Sequence, residues 1–203
     1  MRAAASVGLV ISLFASSLCA AGPTAKELAR GLESSVPSVR RNAAMSLGRL
    51  AERAAVPALI EALEGKDAGV RREAAKALGF IKDRRAAPAL VEALGDRDRN
   101  VRVYAAYALG EIKDPKTAPA LLDALGDPAW CVRDQAAWAL RELHDPQILE
   151  PLVAALKAEH ADLPHVMWLL EHLEPKQAIG ALSGLLEDQD VKVRRRALKV
   201  LCA

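Results

Sequence analysis

The chain has 203 residues, and its 28 lysines and arginines nearly balance 26 aspartates and glutamates, for a formal net charge of +2. A protein this close to neutral lacks the surplus of cations with which nucleic-acid binders neutralise phosphates, so no nucleic-acid partner is expected.

Residues 1–21 read differently from all that follows. Arg2 precedes an apolar run from Ala3 to Ala15, and a small-residue stretch, SSLCAAG, comes next. That order is the n-region, h-region and cleavage site of a secretory signal peptide. The run is too short and alanine-rich for a membrane span, so no integral membrane segment is expected once it is removed. Cleavage is expected after Ala21, leaving residues 22–203 periplasmic or secreted and one positive charge lower. Cys19 invites a lipoprotein reading, or the segment stays as an anchor, but Ser17 and Leu18 poorly suit the residues before a lipidated cysteine.

From residue 24 a unit of 31 recurs. Val39-Arg40, Val70-Arg71, Val101-Arg102 and Val132-Arg133 keep step, followed by Ala43-Ala44, Ala74-Ala75, Ala105-Ala106 and Ala136-Ala137, then Leu47, Leu78, Leu109 and Leu140. A second comb is Pro57-Ala58-Leu59, Pro88-Ala89-Leu90 and Pro119-Ala120-Leu121. A period in this range means stacked units, each burying its apolar face only against its neighbours. Val70, Ala74, Ala77, Leu78 and Ile81 share one face of a helix, and Ala87, Leu90, Val91 and Leu94 mark a shorter partner. Asp114-Pro115 and Asp145-Pro146 suit an N-cap followed by proline in the first turn. Gly79, Gly110, Gly95 and Gly126 suit helix ends that need a positive φ. A half-repeat at 24–35, five repeats over about 36–189 and a terminal half-repeat at 190–203 follow. The fifth is irregular, with LPHVMWLLEHLEP in place of the Val-Arg and Ala-Ala strings. Helices packing ~8–10 Å apart make this one domain, a curved rod roughly 50 Å long.

The VRxxAAxALG string and the Pro-Ala-Leu opening resemble HEAT repeats, most of all the HEAT-like repeats of phycobiliprotein lyase subunits. The resemblance implies an all-α, right-handed α-solenoid of stacked two-helix repeats. It also implies that Arg40, Arg71, Arg102, Arg133 and Arg194 pair with nearby acids (Asp67, Asp96, Asp98, Asp127, Asp188, Asp190) to tie repeats together. Function does not follow from such a fold, so a site has to be argued separately.

Two surfaces stand out. Tyr107 and Trp138 share one repeat position, Trp168 joins them once the short fifth unit is allowed for, and Tyr104 lies a turn before Tyr107. The column suits a protein-binding ridge on the outer helices; alternatively the rings pack on each other or on stems such as Arg141. If the ring is exposed, Trp138→Ala costs less than ~1 kcal/mol of stability, whereas a buried aromatic costs ~3 or more. On the second helices, Glu61, Glu92 and Asp123 recur beside Ala58, Ala89 and Ala120. They form an acidic strip for a basic or extended partner, or simply a solvated face.

Nothing else points to chemistry. His165, Trp168 and His172 lie at i, i+3 and i+7, which sets the histidines ~10 Å apart, too far to grip one ion. Deoxyhypusine hydroxylase, built from similar repeats, binds iron through His-Glu dipeptides; here Glu159-His160 and Glu171-His172 run in reverse order. No metal, cofactor or catalytic set is expected. Cys131 and Cys202 sit too far apart along a solenoid to bridge. The expected function is an exported scaffold or adaptor that binds another protein. Alternatives are a bilin-lyase-like or deoxyhypusine-hydroxylase-like enzyme, or a structural spacer in an envelope complex.

Overall fold

The computed structural model describes residues 23–157, 163–172, 179–180 and 182–202. The expected signal segment and Glu159-His160 lie outside the described residues. Among those described there is no strand. A lone helix α1 (Ala25–Leu32) opens the stack, started by a reciprocal cap between Thr24 and Glu27. Four helix pairs follow: α2 (Pro37–Leu50) with α3 (Val56–Leu63), α4 (Ala68–Ile81) with α5 (Ala87–Ala93), α6 (Arg99–Ile112) with α7 (Ala118–Ala124), and α8 (Trp130–Leu143) with α9 (Leu149–Lys157). Then come α10 (Leu163–His172), the first helix of the irregular fifth unit, and a closing helix α11 (Val191–Leu201). The result is an α-solenoid in which α2, α4, α6 and α8 pack in sequence on one side.

The recurring leucines make the core. Leu47, Leu78, Leu109 and Leu140 from the first helices, with Leu59, Leu90, Leu121 and Leu152 from the second, are wholly buried. Each contributes about 1.5–3 kcal/mol by leaving water. The alanine pairs let first helices approach closely, and Ala44, Ala75, Ala106 and Ala137 are buried between them.

The glycines play a different part from the one expected of them: no glycine among the described residues has a positive φ. The left-handed residue that ends each first helix is Ala51, Lys82, Lys113 or His144, with φ between 50° and 55°. A non-glycine residue there costs on the order of 1 kcal/mol or more. Gly48, Gly79 and Gly110 lie one turn earlier, inside the helix, where a Cβ would stand 2.8, 3.0 and 2.9 Å from Cα of Ala77, Ala108 and Ala139 on the next helix. The unit uses glycine for backbone approach, and that demand outranks the cap. The aspartates before proline also act slightly upstream of expectation. Asp114 and Asp145 cap short 3₁₀ turns, Pro115–Thr117 and Pro146–Ile148, which run directly into α7 and α9.

Candidate functional site

Each Val-Arg arginine folds back on its own turn, because six residues of turn and helix start return a carbonyl to its guanidinium. Arg40 donates to the carbonyl of Ser34, Arg102 to Asp96, Arg133 to Asp127 and Arg194 to Asp188, at 2.6 to 2.9 Å. Arg71 and Arg102 also reach forward. Arg71 grips the Asp96 carboxylate with two bonds of 2.6 and 2.8 Å, and Arg102 grips Asp127 with bonds of 2.7 and 2.9 Å. Asp96 therefore joins two rungs, its carboxylate holding Arg71 while its carbonyl holds Arg102. Burial pushes both aspartates up, but the arginine bonds and the amides of Asp98 and Ala129 outweigh it and leave each carboxyl below its ordinary range. Fork geometry of this kind makes strong, oriented pairs. The ladder is structural, as the resemblance implied. It runs forward to the acid twenty-five residues on, so the first unit lacks a rung: the residue facing Arg40 is Gly65.

The aromatic column does come together. Tyr107 and Trp138 stack at 5.7 Å between centroids and 16° between planes. Arg141 lies over Trp168 at 5.5 Å, and Lys76 lies over Tyr104 at 5.6 Å. The rings are half-buried rather than standing free, and Tyr104, Trp138 and Trp168 pack against the core. Trp138 covers Gly110, where a Cβ would meet its Cζ3 at 2.5 Å. The column thus bridges successive first helices. Burial raises the Tyr107 phenol above its ordinary pKa. Phe80, which the register did not flag, extends the column edge-on to Tyr107 at 6.4 Å. At the next junction Arg141 takes the place of the glycine, and its side chain occupies the space beside Trp168.

On the second helices, Glu61, Glu92 and Asp123 are all exposed, and no ion pair holds them among the described residues. Two acids on the first helices are neutralised by lysines instead: Glu111 by Lys82, and Glu142 by Lys113 at 2.8 Å. Two shallow clefts lie along this face. One of about 200 Å³ between α1 and α3 is lined by Ala58, Glu61, Ala62 and Arg40. The other, about 130 Å³ between α3 and α5, is lined by Ile60, Ala89, Glu92 and Asp96. Neither has a cysteine or histidine in its wall.

The histidines on α10 take other partners. His165 Nε2 lies 3.8 Å from Asp134, and His172 stacks on Trp168 at 4.5 Å with its Nδ1 2.7 Å from the Trp168 carbonyl. No group of three or more His, Cys, Asp or Glu placed to hold a metal occurs among the described residues. Cys131 and Cys202 are free thiols. No described helix is long and apolar enough to cross a membrane. Besides Phe80, a second exposed aromatic has no mark in the register: Trp130, first in α8, leaves 69% of its surface open. It breaks no periodic pattern, so only its chemistry marks it.

The comparisons agree with the architecture. The model of the HEAT repeats matches residues 25–99 and 89–164. No curated protein matches the chain. Among solved structures, the chain is similar to the CpcE–CpcF complex of phycocyanin lyase from Nostoc sp. PCC7120, at 28% identity over 91% of this chain and 96% of that one, with a TM-score of 0.50. An engineered protein shares 22% identity over 87% and 94% with a TM-score of 0.57. A designed armadillo repeat protein solved with a (KR)4 peptide shares 18% over 88% and 100% with a TM-score of 0.56. With the 31-residue unit, the paired helices and the arginine ladder on the same residues as that model, the chain belongs to the HEAT-repeat family.

Proposed function

We propose that the protein is an exported, non-catalytic scaffold that holds another protein along its row of second helices. The observation that carries this reading is the contrast in charge between the two faces. On the first helices Glu111 and Glu142 are paired with lysines and Glu73 with Arg72, whereas Glu61, Glu92 and Asp123 stand exposed one repeat apart with no ion pair among the described residues. With repeats spaced ~10 Å, three such groups match cations about every third residue of an extended chain. In this reading Tyr104, Tyr107, Trp138 and Trp168 tie repeats together, and docking falls to the acidic row. Export rests on the order of Arg2, the apolar run and the small residues before Gly22.

The test compares the parent with the triple variant Glu61→Lys, Glu92→Lys, Asp123→Lys. A labelled lysine-rich peptide should bind the parent at low salt, weaken as salt rises, and bind the variant at least tenfold less. The same substitutions should abolish co-purification of partners from envelope extract. Equal binding by parent and variant overturns the reading. N-terminal sequencing of the exported protein should begin near Gly22; an intact Met1 removes the export half.

A second reading is a lyase-type subunit, favoured by the 28% identity to the phycocyanin lyase complex. It requires a groove with a thiol or acid–base group for a tetrapyrrole; the two clefts offer carboxylates such as Glu61, Glu92 and Asp96, and no cysteine or histidine lines them. Absorbance shifts on adding a free bilin would favour this second reading.

A further inference from the structure

We propose that the cleft between α1 and α3 receives the C-terminal carboxylate of the docked basic chain, with the guanidinium of Arg40 as its receptor; the identity of that chain rests on the acidic row being the docking surface. One arginine differs from its two counterparts. Arg71 and Arg102 each use Nε and Nη2 to hold the carboxylate twenty-five residues on, while Nη1 bonds a carbonyl of the preceding turn. Arg40 makes the same Nη1 bond, 2.6 Å to the carbonyl of Ser34, so its guanidinium is anchored as theirs are. Twenty-five residues on stands Gly65, and Nε and Nη2 of Arg40 meet no acceptor among the described residues.

The clefts record the same difference. The one between α3 and α5 has Asp96 in its wall and a volume of about 130 Å³, whereas the one between α1 and α3 has Arg40 and Gly65 there and about 200 Å³. A guanidinium edge with two parallel N–H donors matches a carboxylate and holds it with two bonds. The protein fills two such edges from its own chain and turns the third toward a cleft. Asp67 lies in the same wall but is committed elsewhere: it accepts the Val70 amide at 3.0 Å and lies 3.7 Å from Arg41. Residues 1–22 contain no aspartate or glutamate, so they bring no side-chain carboxylate to Arg40.

Charge decides which carboxylate. Lys66 joins Arg40 in the wall, and Arg30 on α1 stands one repeat before Glu61, where the row changes sign from acid to cation. Arg30 is exposed, and its neighbour Glu27 is taken up by the Thr24 cap. Glu33 and Glu61 line the cleft as well, so a phosphate or a second carboxylate meets repulsion. A single carboxylate that follows a run of cations meets the opposite charge at each step. A lysine-rich chain offers a carboxylate at one place, its C-terminus. The direction of docking follows: cations at Asp123, Glu92 and Glu61 in that order, then the terminus at Arg40, with about three residues of extended chain per repeat.

The test titrates the whole protein with a peptide of three Lys-Ser-Gly units, labelled at its N-terminus, as the free acid and as the C-terminal amide. The acid should bind about tenfold more tightly, the worth of a charge-assisted pair. Gly65→Asp keeps Arg40 and its Ser34 bond but places the protein's own carboxylate at the guanidinium edge, so it should erase the difference between acid and amide. Arg40→Gln should erase it too, while the amide binds as it does to the parent, which shows the fold intact. Equal affinity for acid and amide in the parent overturns the proposal, as does an advantage that survives both variants. So does equal binding of a longer, amidated peptide that carries an internal Asp where the terminus would lie. The two readings fail differently. If neither peptide binds, or the triple reversal at Glu61, Glu92 and Asp123 changes nothing, the acidic row falls and the terminal site with it. If the reversal abolishes binding but acid and amide never differ, the row stands and only the site at Arg40 fails.

Discussion

Replacing Trp138 with alanine measures whether the outer column is a joint or a bare ridge. The indole is half-buried, stacked on Tyr107 at 5.7 Å, and closed over Gly110. About half of its 150–250 Å² removed from water, at ~25 cal/mol per Å², amounts to about 2.5 kcal/mol. The offset stack adds roughly 0.5–1.5 kcal/mol, and the better helix propensity of alanine returns a few tenths. The expected loss is therefore about 2.5–3.5 kcal/mol, a fall in Tm of about 5–14 °C for a domain of this size. Thermal and urea melts followed by circular dichroism give the number. A double-mutant cycle with Tyr107→Ala isolates the ring pair and should return a coupling of about 0.5–1.5 kcal/mol. A loss below ~1 kcal/mol with no coupling would mean the rings carry no repeat-to-repeat packing. If a partner then bound Trp138→Ala at least tenfold more weakly, the column would be the docking surface and the acidic row would lose its role.

Other expectations follow from the ladder and the irregular unit. Asp96→Ala removes the acid from a nearly buried pair and should cost about 3 kcal/mol in urea unfolding, because Arg71 is left uncompensated; a loss near zero would mean water replaces the carboxylate. Gly65→Asp supplies the rung missing opposite Arg40 and should raise the unfolding midpoint by one or two degrees, unless the tight approach to the Ala62 carbonyl, 3.2 Å from a Cβ, outweighs the new pair. Acid should unfold the protein through the same groups. The carboxyls of Asp96 and Asp127 lie below their ordinary range, and Asp83 is held at about 2 by its Arg85 partner. Folded pKa values below the unfolded ones give stability that is complete above the unfolded value of ~4 and is lost as pH falls through the folded values. A Tm that is flat from pH 4 down to 2 would contradict this. Hydrogen exchange should be faster over 163–172 than over 101–112, since Arg141 blocks the approach that glycine permits elsewhere and α10 shares a shorter seam with α8 than α6 does; equal protection would show that Trp168 restores the packing.

The sequence by itself determined the repeat. Helix type, two-helix units and the buried leucines all follow from a period of 31 laid over a period of 3.6, because each unit meets only its neighbours and local pattern decides its partners. It also singled out the arginines and the aromatic column, since chemistry at a fixed register is visible in one dimension. What it could not give is which atoms meet across the junctions. Gly79 and Gly110 read as helix ends, yet the approach of Ala108 and Ala139 claims them, and the positive φ falls to Lys82 and Lys113. Whether Tyr107 and Trp138 face water or each other depended on the rotation of adjacent helices, which no single unit encodes. The same holds for Arg71, whose acid lies twenty-five residues on in the next turn.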